Sequence, residues 1–301
     1  MVNVINCHEI ADRLLNELEQ EVAAIHEATG ERPRLDVILV GDHPASKVYV
    51  NNKMKRCERV GIESKLWRFD ESVTADDLLA LISELNNTVE CHGLMVQLPL
   101  PKHINEDEIL EAIHWAKDVD GLTSTNQARL LNNHPMRLDP CTPLAVMEIL
   151  KTQLDSVQGC DVTVIGRSRL FGSPMALMLR NANATVTMCH SRSDLTGPLK
   201  NAEIVISAVG LPKYFKADQF GSQQIIVDVG INRDEAGKLC GDIDFESFAE
   251  TVQTDRRNNF DKNVDENYTK NIKNINGWMN RLNKLSDSVG FKKKYKSKYQ
   301  Y

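Results

Sequence analysis

Apolar runs typical of β-strands alternate with helical segments along most of this 301-residue chain. The elements that this pattern predicts in the first part of the chain are helix 8–28, strand 35–40, helix 45–60, strand 65–67, helix 75–85 and strand 93–98. A strand that is joined to the next one through a helix lies parallel to it, because the helix carries the chain back to the starting edge of the sheet. The alternation therefore predicts an α/β fold with parallel sheets.

A second series of strands follows a break that Pro140 and Pro143 bracket, and a helical stretch at 144–154 leads into it. The β-type runs of this series are 162–165, 184–188, 204–209 and 224–229. Four such runs with a helix after the first predict a Rossmann-like core. We therefore predict two α/β domains, an N-terminal substrate domain and a Rossmann-like dinucleotide domain, with a cleft between them.

Charge separates the end of the chain from the rest. Residues 251–301 hold 12 Lys and Arg against 5 Asp and Glu, whereas the preceding residues hold 24 against 37. We therefore predict three regions, which are domains at 1–139 and 140–250 and a basic, Asn/Lys-rich tail at 251–301. The acidic body gives no reason to expect a nucleic-acid partner, and no stretch is apolar enough to indicate a membrane-spanning segment.

The seven cysteines are scattered along the chain, and no two of them form a C-x-x-C pair. The N-terminus also lacks the basic and apolar regions of a secretion signal. These features predict a cytoplasmic protein with reduced thiols. The eight histidines are dispersed as well, so no metal site is predicted.

A turn that begins at Gly166 and includes Ser168 follows one predicted strand and precedes a helix that is predicted to begin at Gly172. In a Rossmann fold this is the place where the phosphates of a dinucleotide meet the N-terminus of a helix. The spacing is not G-x-G-x-x-G, so a strand-turn-helix without a ligand is the alternative. Further turns, at Gly210 and Ile231, also lie at the predicted carboxyl ends of strands, where ligands bind in such folds.

Ser191 and Arg192 follow the second Rossmann strand, at the place where NAD enzymes usually have an acidic residue for the ribose. A hydroxyl and a guanidinium suit a 2′-phosphate, and Arg167 on the neighbouring turn offers a second charge-assisted contact. The sequence therefore favours NADP as the cofactor. Asp194 leaves NAD as the alternative.

Tyr49 and Lys53 are four residues apart in a predicted helix, so their side chains share one face. An aromatic ring can stack on a flat substrate, and a partly desolvated lysine can exchange a proton as an acid/base. The alternative is that this pair stands by chance on an exposed helix.

Other polar residues lie where ligands bind in open α/β sheets. Gln97 lies at the carboxyl end of the predicted strand 93–98. Asp118 and Asp120 lie in a predicted loop, where one carboxylate can receive the amino-type donors of a substrate. An Asx-turn around Gly121 is the alternative.

Taken together, these segments resemble the bifunctional methylene-tetrahydrofolate dehydrogenase/methenyl-tetrahydrofolate cyclohydrolase family. The segments that carry the resemblance are 49–53, 96–101, 117–121, 140–143, 166–168, 189–191, 228–232 and 241–245. Their order and spacing match the family through about residue 246. A different Rossmann dehydrogenase, of the shikimate type, is an alternative that these loop motifs disfavour.

The resemblance implies a folate site between the domains, where hydride leaves the methylene bridge for NADP⁺ and water then opens the methenyl cation. Lys53 is implied as the central acid/base, and Gln97 as the partner that holds it and adjusts how readily it loses a proton. Tyr49 is implied to stack on the folate, and Asp120 to anchor the pterin. The resemblance also implies a homodimer in one-carbon metabolism, which serves purine, methionine and histidine biosynthesis.

The chain departs from the family pattern after residue 246. The family continues with a loop close to T-P-V-P-G-G-V-G-P-M-T, whereas this chain has no proline after Pro212 and only Gly277 and Gly290 after Gly241. The alternatives are an active enzyme with a divergent terminus, an inactive or regulatory relative that binds folate or NADP, and a terminus altered by a reading-frame change.

Overall fold

A computed structural model describes residues 4–221 and 223–248 of the chain. Within them the chain forms two compact units, of which the first comprises 11–141 and the second comprises 142–248 with 4–10. Each unit contains a parallel sheet with helices between its strands, so the predicted two-domain α/β class is confirmed. The predicted basic tail, 251–301, lies outside the described residues.

The first unit is built around a three-stranded sheet. Its elements are α1 (Cys7–Thr29, of which residues 11–29 belong here), β1 (Arg34–Val40), α2 (Pro44–Arg59), β2 (Glu63–Phe69), α3 (Ala75–Asn87), β3 (Gly93–Val96), α4 (Glu106–Glu111) and α5 (Ser124–Leu131). The strand order is β2-β1-β3, and both pairs are parallel. Six of the seven residues of β1 are buried, which explains why its sequence is mostly apolar rather than alternating.

The helices α4 and α5 escape prediction from the sequence. They have six and eight residues, which is too short to show an apolar period. Their only sequence signals are the residues that cap them: the side chain of Asn105 accepts from the Asp107 amide, and that of Thr123 accepts from the Asn126 amide. The caps matter for function because α5 follows the loop that carries Asp118 and Asp120.

The second unit contains a four-stranded parallel sheet with the order β5-β4-β6-β7. Its elements are α6 (Cys141–Gln153, whose first residue belongs to the first unit), β4 (Asp161–Ile165), α7 (Gly172–Asn181), β5 (Thr185–Cys189), α8 (Thr196–Asn201), β6 (Ile204–Ser207), β7 (Ile225–Asp228), β8 (Asn232–Arg233) and β9 (Leu239–Cys240). The chain runs outward from β4 to β5 and then returns to β6 on the other side of β4. This reversal creates a switch point at the carboxyl end of β4, where ligands bind in open α/β sheets.

One predicted boundary is wrong. Helix α6 begins at Cys141 rather than at residue 144, so Pro143 lies inside its first turn instead of before it. Proline is tolerated there because the amides of the first turn have no partner within the helix. Among the described helices, none combines the length and the apolar character that crossing a lipid bilayer requires.

Candidate functional site

Lys53 and Tyr49 lie on the inner face of α2. The Lys53 side chain is 5% exposed, and its Nζ lies 5.2 Å from the centroid of the Tyr49 ring. The same Nζ donates to the Sδ of Met95, on β3, at 2.7 Å. A thioether is a weak acceptor, so this contact leaves the amine available to a stronger partner such as water or a substrate. The burial argues against the alternative of an exposed chance pair.

Cys57 lies one helical turn after Lys53 and is also buried. Burial raises the pKa of its thiol to about 12, against the opposing effect of the Lys53 ammonium. A thiol with so high a pKa stays protonated at neutral pH and is a poor nucleophile. Proton exchange on this face of α2 therefore falls to Lys53 rather than to Cys57.

Tyr49 is neutral under ordinary conditions. Burial raises the pKa of its phenol far above the usual range, and the nearby charges of Asp120 and Cys141 raise it further. The ring therefore offers an aromatic surface and a hydroxyl that keeps its proton.

The two carboxylates of the 117–121 loop have different surroundings. Asp118 is buried, and its carboxylate accepts from the Leu122 amide at 3.2 Å, the Thr123 amide at 2.8 Å and Asn126 Nδ2 at 2.9 Å. Burial raises the pKa of Asp118 in spite of these hydrogen bonds. Asp118 thus fixes the loop through amides four and five residues further on, rather than through the amide two residues on that an Asx-turn uses.

Asp120 is half-buried, and the Sγ of Cys141 lies 3.6 Å from its Oδ1. The same thiol donates to the Val119 carbonyl at 3.3 Å. A thiol is a weak donor, so most of the hydrogen-bonding capacity of the Asp120 carboxylate is left for a ligand. Cys141 itself did not stand out as a site residue in the sequence, where its only signal is its position between two prolines.

Gln97 follows β3 directly, one residue beyond the last of the strand rather than inside it. Its amide donates to the Ile38 carbonyl at 2.9 Å, and its Nε2 donates to the Leu98 carbonyl at 2.6 Å. Its Oε1 is buried and has no hydrogen-bond partner among the described residues. A buried amide oxygen is rarely left without a donor, so this atom is a candidate acceptor for a ligand or for Lys53. A direct bond to Lys53 stays a prediction.

In the second unit, the turn after β4 depends on two glycines. Gly166 has φ +125°, and a Cβ there would lie 2.6 Å from the carbonyl oxygen of Ala208. A Cβ at Gly172 would clash with the carbonyl group of Gly166 and with the Arg167 amide nitrogen. Helix α7 begins at Gly172, as predicted, and its first turn packs directly against the strand-turn backbone. Only glycine gives this close approach.

Hydrogen bonds hold the same turn in one shape. The Oγ of Ser168 accepts from the Phe171 amide at 3.2 Å, and its carbonyl accepts from the Ser173 amide at 3.1 Å. The Oγ of Ser173 donates to the Arg167 carbonyl at 3.1 Å. Arg167 and Ser168 are themselves exposed, so their side chains face solvent at the start of α7. The turn combines an ordered backbone with exposed polar groups.

The segment after β5 presents Ser191 and Arg192 to solvent. The Arg192 amide donates to His190 Nδ1 at 3.2 Å. Asp194 accepts from the Thr196 amide at 2.9 Å at the start of α8, and this bond lowers the pKa of its carboxyl. Asp194 is therefore engaged by its own helix, whereas the Ser191 hydroxyl and the Arg192 guanidinium face outward. Ile231 is also exposed, three residues after the end of β7.

Comparison with known proteins assigns both units to one group. The family model for the tetrahydrofolate dehydrogenase/cyclohydrolase catalytic domain matches residues 5–120, and that for its NAD(P)-binding domain matches residues 140–255. The bifunctional protein FolD of Paraburkholderia xenovorans is 47% identical over 231 residues, which cover 76% of this chain and 80% of that protein. FolD of Aromatoleum aromaticum is 45% identical over 254 residues, which cover 83% and 87%.

Solved structures agree. The FolD methylenetetrahydrofolate dehydrogenase/cyclohydrolase of Campylobacter jejuni has a TM-score of 0.84 at 36% identity, covering 93% of this chain and 97% of its own. The Trypanosoma brucei methylenetetrahydrofolate dehydrogenase-cyclohydrolase, solved with NADP and an inhibitor, has a TM-score of 0.83 at 30% identity, covering 96% and 98%. The likeness therefore extends through both units.

Proposed function

Because the chain belongs to the tetrahydrofolate dehydrogenase/cyclohydrolase family, we propose that it oxidises methylenetetrahydrofolate with NADP⁺ and hydrolyses the methenyl product to formyltetrahydrofolate. The observation that carries this proposal is the match of the catalytic-domain model to the unit in which Lys53 is buried beside Tyr49. The two FolD relatives, which this chain matches over 80% and 87% of their length, are named bifunctional proteins. Both family domains are present in this chain.

The turn at Gly166 fits the pyrophosphate of a dinucleotide. Gly166 and Gly172 let the turn and the first turn of α7 pack backbone against backbone, and this places the start of α7, with the positive end of its dipole, where a phosphate binds in a Rossmann fold. We assign the pyrophosphate to Gly166, Arg167 and Ser168. When bound there, NADP⁺ supplies the hydride acceptor of the oxidation.

The remaining contacts of the cofactor are assigned to residues that lie just after the carboxyl ends of β5 and β7. Ser191 and Arg192 hold the 2′-phosphate, since both face solvent and the competing carboxylate of Asp194 is engaged by α8. Ile231, exposed after β7, lines the nicotinamide side. These roles make NADP the preferred cofactor and NAD the weaker one.

Lys53 is the acid/base of the hydrolysis. Water adds to the methenyl carbon of the substrate, and the Lys53 amine accepts a proton from it. The same group returns that proton to the ring nitrogen as the carbon–nitrogen bond breaks, and the hydroxyl of the adduct loses its proton to solvent as it becomes the formyl carbonyl. Its buried position excludes most bulk water, so the proton moves between the amine and the reacting atoms.

The other residues of the cluster position the folate. The neutral Tyr49 ring stacks on the flat ring system, and the Asp120 carboxylate accepts from its amino-type donors. Gln97 Oε1, a buried acceptor without a partner among the described residues, receives a hydrogen bond from Lys53 or from the substrate. Catalysis is thus assigned to Lys53, Gln97 and Tyr49, and substrate binding to Tyr49, Gln97 and Asp120.

The chain is proposed to work as a cytoplasmic homodimer that supplies one-carbon units for purine, methionine and histidine biosynthesis, with no nucleic-acid or membrane partner. An edge of the first sheet supports self-association, because among residues 4–221 and 223–248 the strand β2 pairs with β1 on one side only. A groove of about 600 Å³ lies beside that edge and is lined partly by Met54, Ile62 and Leu66. Light scattering should then give about twice the chain mass of 33.9 kDa.

The activity is tested with purified full-length chain, methylenetetrahydrofolate and NADP⁺. We expect methenyl absorbance to rise and then decay as the formyl product accumulates. Calorimetry on the same preparation separates the alternative: binding of folate and NADP⁺ without turnover would identify an inactive relative. A chain that neither binds nor turns over these ligands would contradict the proposal.

A further inference from the structure

The carboxylate of Asp242 lies at the centre of a buried hydrogen-bond network in the second unit. The residue is completely buried. Five donors reach its two oxygens, at distances of 2.7–3.0 Å: Ser207 Oγ, the amides of Val209, Gly210 and Leu211, and Asn232 Nδ2. A carboxylate offers about four lone-pair positions, so this one is saturated.

Three of these donors are the successive amides of Val209, Gly210 and Leu211, just after β6. Successive backbone amides that converge form a concavity that binds anions. Here the protein fills that concavity with its own carboxylate. The end of β6 is therefore closed to a phosphate.

The network also joins two turns that are distant in sequence. Asn232 Nδ2 connects Asp242 to the turn after β7. The Asp242 amide donates to Asp228 Oδ1 at 3.0 Å, and the same oxygen accepts from the Gly230 amide at 2.9 Å. Two adjacent carboxylates, the buried Asp242 and the half-buried Asp228, thus fix the turns after β6 and β7 relative to each other.

The strand order assigns these turns to one half of a dinucleotide. The halves of a bound dinucleotide lie on either side of the switch point, which here lies between β4 and β6. With the 2′-phosphate end at Ser191 and Arg192 after β5, the nicotinamide half lies over the turns after β6 and β7. We propose that Asp242 is a positioning residue that shapes the nicotinamide side of the site without touching the cofactor; this inference rests on the proposed function.

The test compares Asp242→Asn with Asp244→Asn, which makes the same change two residues away and outside the network. The asparagine places an Nδ2 group against donors that need an acceptor. We expect the Kd of Asp242→Asn for NADP⁺, measured by calorimetry on the full chain, to rise on the order of tenfold or more. Adenosine 2′,5′-bisphosphate contacts only the adenosine half of the site. The Kd of Asp242→Asn for this ligand should therefore change by less than about twofold. Asp244→Asn should match wild type with both ligands.

Ser207→Ala is the milder variant if Asp242→Asn does not fold. It removes one donor from the same carboxylate and should weaken NADP⁺ binding by about threefold, without affecting the bisphosphate. Equal loss of both ligands would mean a general structural role and would overturn the inference, as would wild-type NADP⁺ affinity in a folded Asp242→Asn. A wild-type chain that binds neither nucleotide would instead overturn the proposed function, and this role with it.

Discussion

The two units prepare their sites with different chemical means. The first unit does so with side chains on or beside regular elements: Lys53 and Tyr49 on α2 and Gln97 after β3. The second unit does so with backbone, since Gly166 and Gly172 allow the backbone of the turn and that of α7 to pack closely. The exposed side chains of Arg167 and Ser168 project from this turn. Substitutions in the first unit should therefore alter chemistry on an intact fold, whereas those in the second should alter the shape of the site first.

The largest expected effect is that of Lys53→Met in the first unit. Loss of a positioned acid/base costs about 10²- to 10⁴-fold, so cyclohydrolase turnover should fall by that factor while NADP⁺ still binds. Lys55→Met, on the exposed face of the same helix, is the matched control and should keep wild-type turnover. Decay of methenyl absorbance measures both variants. Unchanged decay in Lys53→Met would remove Lys53 from the mechanism.

In the second unit, Gly172→Ala should distort the turn itself. The added Cβ would meet backbone atoms of Gly166 and Arg167, so the chain must shift, at a cost of about 1–3 kcal/mol of unfolding free energy. NADP⁺ affinity should fall about tenfold or more through the displaced turn, while the folate KM changes little. Gly197→Ala, whose Cβ meets only a side-chain atom at 3.9 Å, should leave both unchanged.

Calorimetry measures the NADP⁺ affinity of these two glycine variants, and urea titration measures their unfolding free energy. If Gly172→Ala binds NADP⁺ like wild type, the close approach of α7 to the Gly166 turn is not needed for the cofactor. That result would contradict the conclusion that the second unit forms its site with backbone rather than with side chains.

The two aspartates of one loop test the contrast inside the first unit. Asp120→Asn should raise the folate KM about tenfold without changing the melting temperature, because within the described residues its carboxylate contacts the Cys141 thiol rather than a loop amide. Asp118→Asn should lower the unfolding free energy by about 1–3 kcal/mol, since it loses buried acceptors for backbone donors. Thermal melts and initial rates measure the two effects. Equal destabilisation by both variants would contradict this division of roles.

The smallest expected effect is a pH dependence of stability in the first unit. The Tyr49 pKa is raised in the folded chain above its usual value of 10.0. The contribution of Tyr49 to the free energy of unfolding is therefore fully present below pH 10. It is lost as the pH rises above 10, by up to about 1.4 kcal/mol per pH unit. Tyr49→Phe should remove this part of the fall in urea titrations at pH 8 and 10.5. Tyr214→Phe, at a side chain that is 55% exposed, should not.

Much of the fold follows from sequence pattern. The buried runs of β1 and β4 and the start of α7 at Gly172 are confirmed, because local apolar period and glycine chemistry determine them. The short helices α4 and α5 are not predictable in this way, since they carry too few residues to show a period.

The sites are predicted less completely, for a different reason. Tyr49 and Lys53 are indicated by a four-residue spacing that a helix always converts into one face. The separate surroundings of Asp118 and Asp120 depend on Asn126 and Cys141, which lie 8 and 21 residues further along the chain. The donors around Asp242 lie up to 35 residues away. Such contacts exist only after the chain has folded, so residue type and spacing alone do not reveal them.

The fixed loop around Asp118 has a consequence for protein engineering. Asp118 accepts from the Leu122 and Thr123 amides, and neither of these bonds involves the side chain at position 120. That side chain can therefore be exchanged with both bonds in place. Position 120 is therefore suited to a focused library of substitutions. An amide, hydroxyl or cationic side chain there would offer hydrogen-bonding groups that suit heterocycles other than a pterin. Such a library would also test the coupling to α2, because burial and the charge of Asp120 together raise the pKa of Tyr49, and a neutral or cationic residue at position 120 would remove the second effect.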